Sequence, residues 1–258
     1  MTRQRVTTFA FIRQGLSDLR SDIIKMSIEH HPSALRNRIF ILQELQKRLP
    51  PLPSSSSSPE SSTISFLEAA SGTGAHLEHF APALPHITFQ PSEYVVLDEP
   101  NDPSTLGRIG LRDGLTVLQT LDTIGCNSFS NVKKAIALDL SAETFPESIS
   151  QPNSWDVVFL SNCLHISPLA CTHGLLKNAG IVLKPEGLLF VYGPFKLHGL
   201  FTGDGGNEKF DASLRERNSE WGYRDVDYIE KVGCLHGLVL TECIEMPANN
   251  FLLVLQKK

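Results

Sequence analysis

The sequence has no C-x-x-C pair, no apolar run long enough to cross a bilayer, and no excess of basic residues. Its five cysteines, Cys126, Cys163, Cys171, Cys234 and Cys243, are scattered and odd in number. That argues against a disulfide scaffold and against a structural zinc site, and it fits a reducing compartment. No metal is expected. No stretch approaches the roughly 18 apolar residues of a membrane span, and no secretory h-region is present. With 23 Lys and Arg against 28 Asp and Glu, the formal net charge is -5. Such a balance argues against a surface built to neutralise a nucleic-acid backbone. Neither a nucleic-acid nor a membrane partner is expected, and no internal repeat is found.

Ordinary globular composition remains: 41% hydrophobic and 20% charged over 258 residues. The first 32 residues form an arm. Arg3, Arg5, Arg13 and Arg20 precede or surround a single early acid, Asp18. That is the composition of a mitochondrial presequence, and equally of a loosely docked arm on a cytoplasmic protein. "SALRNRIFILQELQKRL" (33–49) carries Leu35, Ile39, Leu42, Leu45 and Leu49 at helical spacing, with Ser33 as its cap. "PPLPSSSSSPESS" (50–62) has nothing to bury and is a flexible linker. The expected organisation is an arm (1–32), a docking helix with its linker (33–62), and a main domain (63–258).

Within that domain apolar runs alternate with helical stretches. Strands are expected at 64–69, 86–90, 134–140, 155–162 and 187–194, and helices at 76–84, 111–121 and 168–183. The strand runs lack polar alternation, which suits a parallel sheet covered on both faces. At the end, "LVLTECIEM" and "NFLLVLQ" are separated only by "PANN". So short a connection makes an antiparallel hairpin. The expected fold is α/β: a doubly wound, mostly parallel seven-stranded sheet with a C-terminal antiparallel hairpin. This is the Rossmann-like layout of class I methyltransferases.

"ASGTGAH" (70–76) joins the first strand to the next helix. Gly72 and Gly74 allow close backbone approach, and amides at the helix start attract a carboxylate or phosphate. A dinucleotide fingerprint would need a third glycine where Leu77 stands. Glu68, just before the loop, would repel a pyrophosphate but suits the ammonium of an amino-acid end. The pattern therefore favours S-adenosyl-L-methionine over a nicotinamide dinucleotide. Glu93, about 20 residues on, is placed to accept from ribose hydroxyls. Asp139 and the amide of Leu140 are placed to meet adenine. Each of these acids taken singly is equally a solvated turn residue; three at successive strand ends tilt the balance.

"SNCLHI" (161–166) follows the fourth strand, where the methyl group would lie. Asn162 is a cofactor contact there. His165 is a general base, or else a histidine satisfied by nearby backbone. Tyr192 in "YGPF" is a second group able to orient the nucleophile. Phe195, Phe210 and Trp221 are acceptor contacts. The glycine-rich stretch after Phe195 is either a mobile lid over the acceptor or a crossover whose aromatics pack on the sheet.

The blocks "RNRIFILQEL", "LEAASGTGAHLEHFAPALPHITFQPSE", "NCLHISP", "YGPF", "NEKFDASLRERNSEWGYRD" and "MPANNFLLVLQ" resemble the methyltransferase-like 26 family, in order, from about Ser33 to the end. The resemblance implies the class I fold and S-adenosyl-L-methionine as cofactor. It carries over Ser71, Gly72, Thr73, Gly74 and His76 as the signature loop, Gln90-Pro91-Ser92-Glu93 as the second block, and Asn162 and His165. It also carries over Arg36 and Asn37 as an early R-N pair, here assigned to the acceptor. Glu93 stands where the family tends to have Asp, and Ile39 and Phe40 depart from its early block. The expected activity is methyl transfer to a small molecule, with a protein acceptor left open. The alternatives are a non-catalytic binding or scaffold protein of the same fold, and a nicotinamide-dependent oxidoreductase.

Overall fold

The computed structural model describes residues 28–50, 63–95, 116–203 and 205–258. The arm before residue 28, the linker from 51 to 62, and residues 111–115 of the expected central helix lie outside the described residues.

The described elements are α1 (Pro32–Arg48), β1 (Ile64–Ala69), α2 (Ala75–Ala83), β2 (Ile87–Glu93), α3 (Val117–Ile124), β3 (Ile136–Ala137), β4 (Trp155–Ser161), α4 (Leu169–Val182) and β5 (Leu183–Gly193). They continue with β6 (Phe195–Leu197), β7 (Leu200–Phe201), α5 (Gly206–Arg217), β8 (Arg224–Asp225), α6 (Val226–Cys234), β9 (Leu238–Met246) and β10 (Asn250–Lys257). The main sheet has seven strands in the order β3-β2-β1-β4-β5-β10-β9. β1 to β5 run parallel, and β10 pairs antiparallel with both β5 and β9. The chain therefore has the expected α/β fold with its C-terminal hairpin.

The apolar strand runs bury side chains on both faces. Phe66, Phe89, Phe159 and Phe190 pack with Phe80 of α2, Leu121 of α3, and Ile41 and Leu45 of α1. Leu67, Val158, Leu160 and Val191 point the other way, onto Leu175 and Leu176 of α4 and Ile229 and Val232 of α6. Each such side chain contributes about 1.5–3 kcal/mol through burial. β1 reverses order with its neighbours, β2 on one side and β4 on the other. That is the position where open sheets bind ligands, beyond the strands' carboxyl ends.

Two local details differ from the sequence pattern, and a third is one of its two alternatives. α1 starts at Pro32 with His31 as its cap, whose ring accepts the Ser33 N–H at 3.3 Å. Proline's fixed φ favours the first helical position, so the cap falls one residue before it. β3 is only two residues long because it is an edge strand. Ser92 and Glu93 pair with it, while the Gln90 side chain caps the preceding Lys134 carbonyl. The glycine-rich stretch after β5 is a crossover with its own structure: β6, β7 and β8 form a small sheet. Leu214, Trp221 and Tyr223 make a buried cluster beside it, with Phe201 packed against them.

Gly174 of α4 lies against the loop after β3. A Cβ there would collide with the Leu140 carbonyl oxygen and reach 3.4 Å from that of Ala142. Helix propensity alone favours alanine by about 1 kcal/mol. Overpacking against backbone that cannot rotate away costs about 1–3 kcal/mol. Gly174→Ala is expected to lower the urea midpoint despite its helical position; a raised midpoint would show that the loop yields.

Candidate functional site

The site begins where β1 ends. Ala70, Gly72 and Gly74 adopt φ values of 53°, 59° and 84°, so alternate residues turn left-handed. The Ser71 N–H donates to the Ser92 carbonyl at 2.9 Å, and the Gly74 N–H to the Ser71 carbonyl at 3.0 Å. Ser92 Oγ and Ser71 Oγ both donate to the Glu68 carbonyl, at 2.8 and 3.2 Å. The main chain of Glu68 is thus pinned from β2 and from the loop. The two glycines serve different needs. A Cβ on Gly74 would press within 2.9 Å of Ile124, so that glycine lets α3 close on the loop. A Cβ on Gly72 would meet nothing within 4 Å, so that glycine borders open space.

The Glu68 side chain is 2% exposed, and neither carboxylate oxygen makes a hydrogen bond. His76 Nδ1 lies 3.3 Å from Oε1, close enough for attraction but outside hydrogen-bond geometry. An ionised carboxylate buried without donors is costly. Its position at the carboxyl end of β1 suits a ligand ammonium that would supply them.

Glu93 reaches back to the same loop. Its Oε2 accepts the Gly72 N–H at 2.7 Å, and Oε1 accepts the Tyr94 N–H at 2.9 Å. A carboxylate has about four acceptor positions, so a ribose hydroxyl can share it. Thr73 Oγ1 is 2.7 Å from His30 Nδ1, which ties the segment before α1 to the loop. Burial holds the His30 imidazole below its ordinary pKa, although Glu78 opposes this. Asp139 follows β3 and is exposed; its Oδ1 accepts from the Ser141 N–H and Oγ at 2.8 and 2.7 Å. Leu140 is buried in the core beneath it.

The other half of the site lies beyond β4 and β5. Asn162 is left-handed at φ 52°, and its N–H donates to the Tyr192 carbonyl at 2.9 Å. Any Cβ at Gly193 would be 3.7 Å from His165 Nδ1 and 3.9 Å from Asn162 Oδ1, so these two side chains flank the end of β5. His165 is pushed down to about 4, first by burial and then by the charges of Arg224 and Arg217. Its ring centroid lies 6.0 Å from that of Phe210, tilted, and 6.4 Å from that of Tyr223, edge-on. Tyr192 is pushed up to about 12 by burial, against the opposing effects of a hydrogen bond from Asn37 and the charge of Arg36. At neutral pH His165 is an uncharged imidazole and Tyr192 an uncharged phenol.

The structure separates the expected acceptor residues. Phe210 is 42% exposed beside His165. Arg36 is exposed on α1 near Tyr192. Trp221 is buried in the crossover cluster with Arg217 over its ring, and Phe195 is 2% exposed in the main core. Asn37 is also buried, and its side chain meets a protein group, His76 Nε2 at 3.2 Å. Ala70 and Arg224 escaped the sequence pattern. Ala70 has no compositional mark of its left-handed backbone. Arg224 lies inside "GYRD" like a surface residue, yet it is buried and donates to the Ser167, Gly222 and Glu220 carbonyls.

Comparison with known proteins identifies the fold. An O-methyltransferase family protein from Burkholderia thailandensis superposes with a TM-score of 0.56 at 15% identity, covering 87% of this chain and 57% of that one. An O-methyltransferase family 2 protein from Planctomyces limnophilus, in complex with apigenin, gives 0.57 at 17% identity, with 87% and 62% covered. Human N-acetylserotonin methyltransferase, in complex with S-adenosyl-L-methionine, gives 0.52 at 13% identity, with 75% and 47% covered. In each case the chain spans less than two thirds of the other protein. The fold is that of the class I S-adenosyl-L-methionine-dependent methyltransferases. Residues 28–257 match the family described as "Protein of unknown function (DUF938)", and the chain belongs to that family. Among the described residues no group of His, Cys, Asp and Glu is arranged to hold a metal ion, and no helix is long and apolar enough to cross a membrane.

Proposed function

We propose that the protein is an S-adenosyl-L-methionine-dependent methyltransferase acting on a small molecule, of the methyltransferase-like 26 kind. The observation that carries this reading is the buried Glu68 carboxylate, without a hydrogen-bond donor, at the carboxyl end of β1. An ammonium is the ligand group that satisfies it. Gly72, Thr73 and the start of α2 would meet the amino-acid end, Glu93 the ribose, Asp139 with the Leu140 amide the adenine, and Asn162 the region near the sulfur. Solved neighbours of the same fold include one with S-adenosyl-L-methionine bound, which supports the cofactor.

When bound, the cofactor supplies an electrophilic methyl group on a sulfonium. The chain's own residues then have to hold the acceptor in line and keep water away, and such positioning supplies much of the barrier reduction. His165, uncharged at neutral pH, accepts a hydrogen bond from an acceptor hydroxyl or amine. The Tyr192 phenol orients the acceptor from β5. Phe210 offers an exposed ring beside His165 for an apolar part of the acceptor.

Isothermal titration of the full chain with S-adenosylhomocysteine and S-adenosyl-L-methionine tests the reading. Saturable heat with both, each displacing the other, is expected. No heat with either would remove the proposal. Methyl transfer from a labelled cofactor into a metabolite extract separates an enzyme from a binding protein.

A further inference from the structure

We propose that His76 and Glu68 together form a two-acceptor seat for the ligand's ammonium, and that Asn37 of α1 sets it by fixing the His76 tautomer. The proposal rests on the reading of Glu68 as the ammonium anchor. Three side chains from three elements lie in sequence: Glu68 on β1, His76 on α2 and Asn37 on α1. Asn37 Oδ1 faces His76 Nε2 at 3.2 Å. An amide oxygen only accepts, so this contact requires Nε2 to carry a proton. The tautomer with its proton on Nε2 turns Nδ1, an acceptor, toward Glu68.

Two acceptors facing each other explain the contact. His76 Nδ1 and Glu68 Oε1 are 3.3 Å apart, yet both Glu68 oxygens lack a hydrogen bond. An ammonium has three donors and satisfies both groups at once. A hydroxyl or a single amide N–H cannot. His76 is 6% exposed and is held between Phe80 and Phe159, with ring centroids at 5.4 and 5.5 Å. The seat is therefore rigid, and α1, which precedes the sheet, becomes part of the cofactor site. Asn37 acts through His76 and is a positioning residue.

The test compares two probes by titration: S-adenosylhomocysteine, and 5′-methylthioadenosine, which lacks the amino-acid end. In Asn37→Ala and in His76→Phe, S-adenosylhomocysteine should bind about tenfold more weakly, the value of one lost charge-assisted hydrogen bond. Binding of 5′-methylthioadenosine should stay unchanged. The double variant should be no weaker than His76→Phe alone, because Asn37 has nothing left to act on. Phenylalanine suits the aromatic surroundings of His76, so at least one variant stays folded. Equal losses for both probes, or additive effects, would overturn the seat. If the unsubstituted protein binds neither probe, the reading of Glu68 itself fails instead.

Discussion

Replacing Glu68 with glutamine is expected to stabilise the free protein while weakening S-adenosylhomocysteine binding about ten- to a hundredfold. The two effects have one cause. In the free protein the carboxylate is 2% exposed and lacks a hydrogen-bond donor on either oxygen. A buried charge in that state costs several kcal/mol, whereas a neutral amide of the same shape costs about 1–3 kcal/mol. On the proposed tautomer His76 offsets little of this, since the nitrogen 3.3 Å from Oε1 is an acceptor. The melting temperature should therefore rise. With ligand present the order inverts. Hydrogen bonds involving a charged partner contribute about 1.5–3 kcal/mol, and glutamine forfeits the charge. Differential scanning fluorimetry with and without ligand reads both effects. A lower melting temperature in Glu68→Gln, with ligand binding intact, would mean that the carboxylate is a structural group and would remove the main support for the cofactor.

Such an exchange of stability for binding is common where a charge is held ready for a ligand. Glu68 was legible in the sequence as an acid before a glycine loop, but its cost was not. Cost depends on burial and on missing donors, and both arise only when β2 and α2 close over it. The same limit applies elsewhere. The order of strands and helices was legible because strands buried on both faces are continuously apolar, as in "WDVVFL" and "GLLFVY". The terminal hairpin was legible from the brevity of "PANN". β6, β7 and β8 were not, since strands of two or three residues carry no periodicity. Asn37 entered the sequence reading only through the family resemblance, as half of an R-N pair flanked by arginines. Its partner His76 comes from α2, 39 positions away in sequence, and no local pattern encodes that.

Loop geometry was the least legible. Ala70 adopts a left-handed backbone without glycine's freedom, a conformation that costs about 1–2 kcal/mol for a residue with a Cβ. Strain of this kind persists only where the surroundings over-determine it. Here the Ser71 N–H and the Glu68 carbonyl are both held by Ser92, which leaves the connection little choice. Residues that pin the loop are thus two serines, Ser71 in the loop and Ser92 near the end of β2, a type that sequence reading assigns to turns.

Acid should unfold the protein through His165, with about 3 kcal/mol lost between neutral pH and pH 4 on the histidine scale. The imidazole is 8% exposed and pushed down to about 4 by burial and by Arg224 and Arg217. In the unfolded chain it titrates near 6.5. Between these values the unfolded state binds the proton and the folded state does not, so stability falls as pH falls. The contribution is fully present above pH 6.5 and gone near pH 4. Burial of His30 and His79 lowers their pKa too and acts in the same direction, so wild type alone does not isolate the effect. His165→Asn does. Its stability relative to wild type should improve steadily as pH drops from 7 to 4, in urea titrations at fixed salt. A pH-independent difference would show that His165 titrates normally in the folded state. The same depression bears on chemistry. A histidine uncharged across the physiological range can accept a hydrogen bond from an acceptor at any working pH, but beside two arginines it holds a transferred proton poorly. On the proposed methyl transfer, the rate should show no inflection near pH 6.5 from this residue, the result expected of a group that orients the acceptor more than it stores its proton.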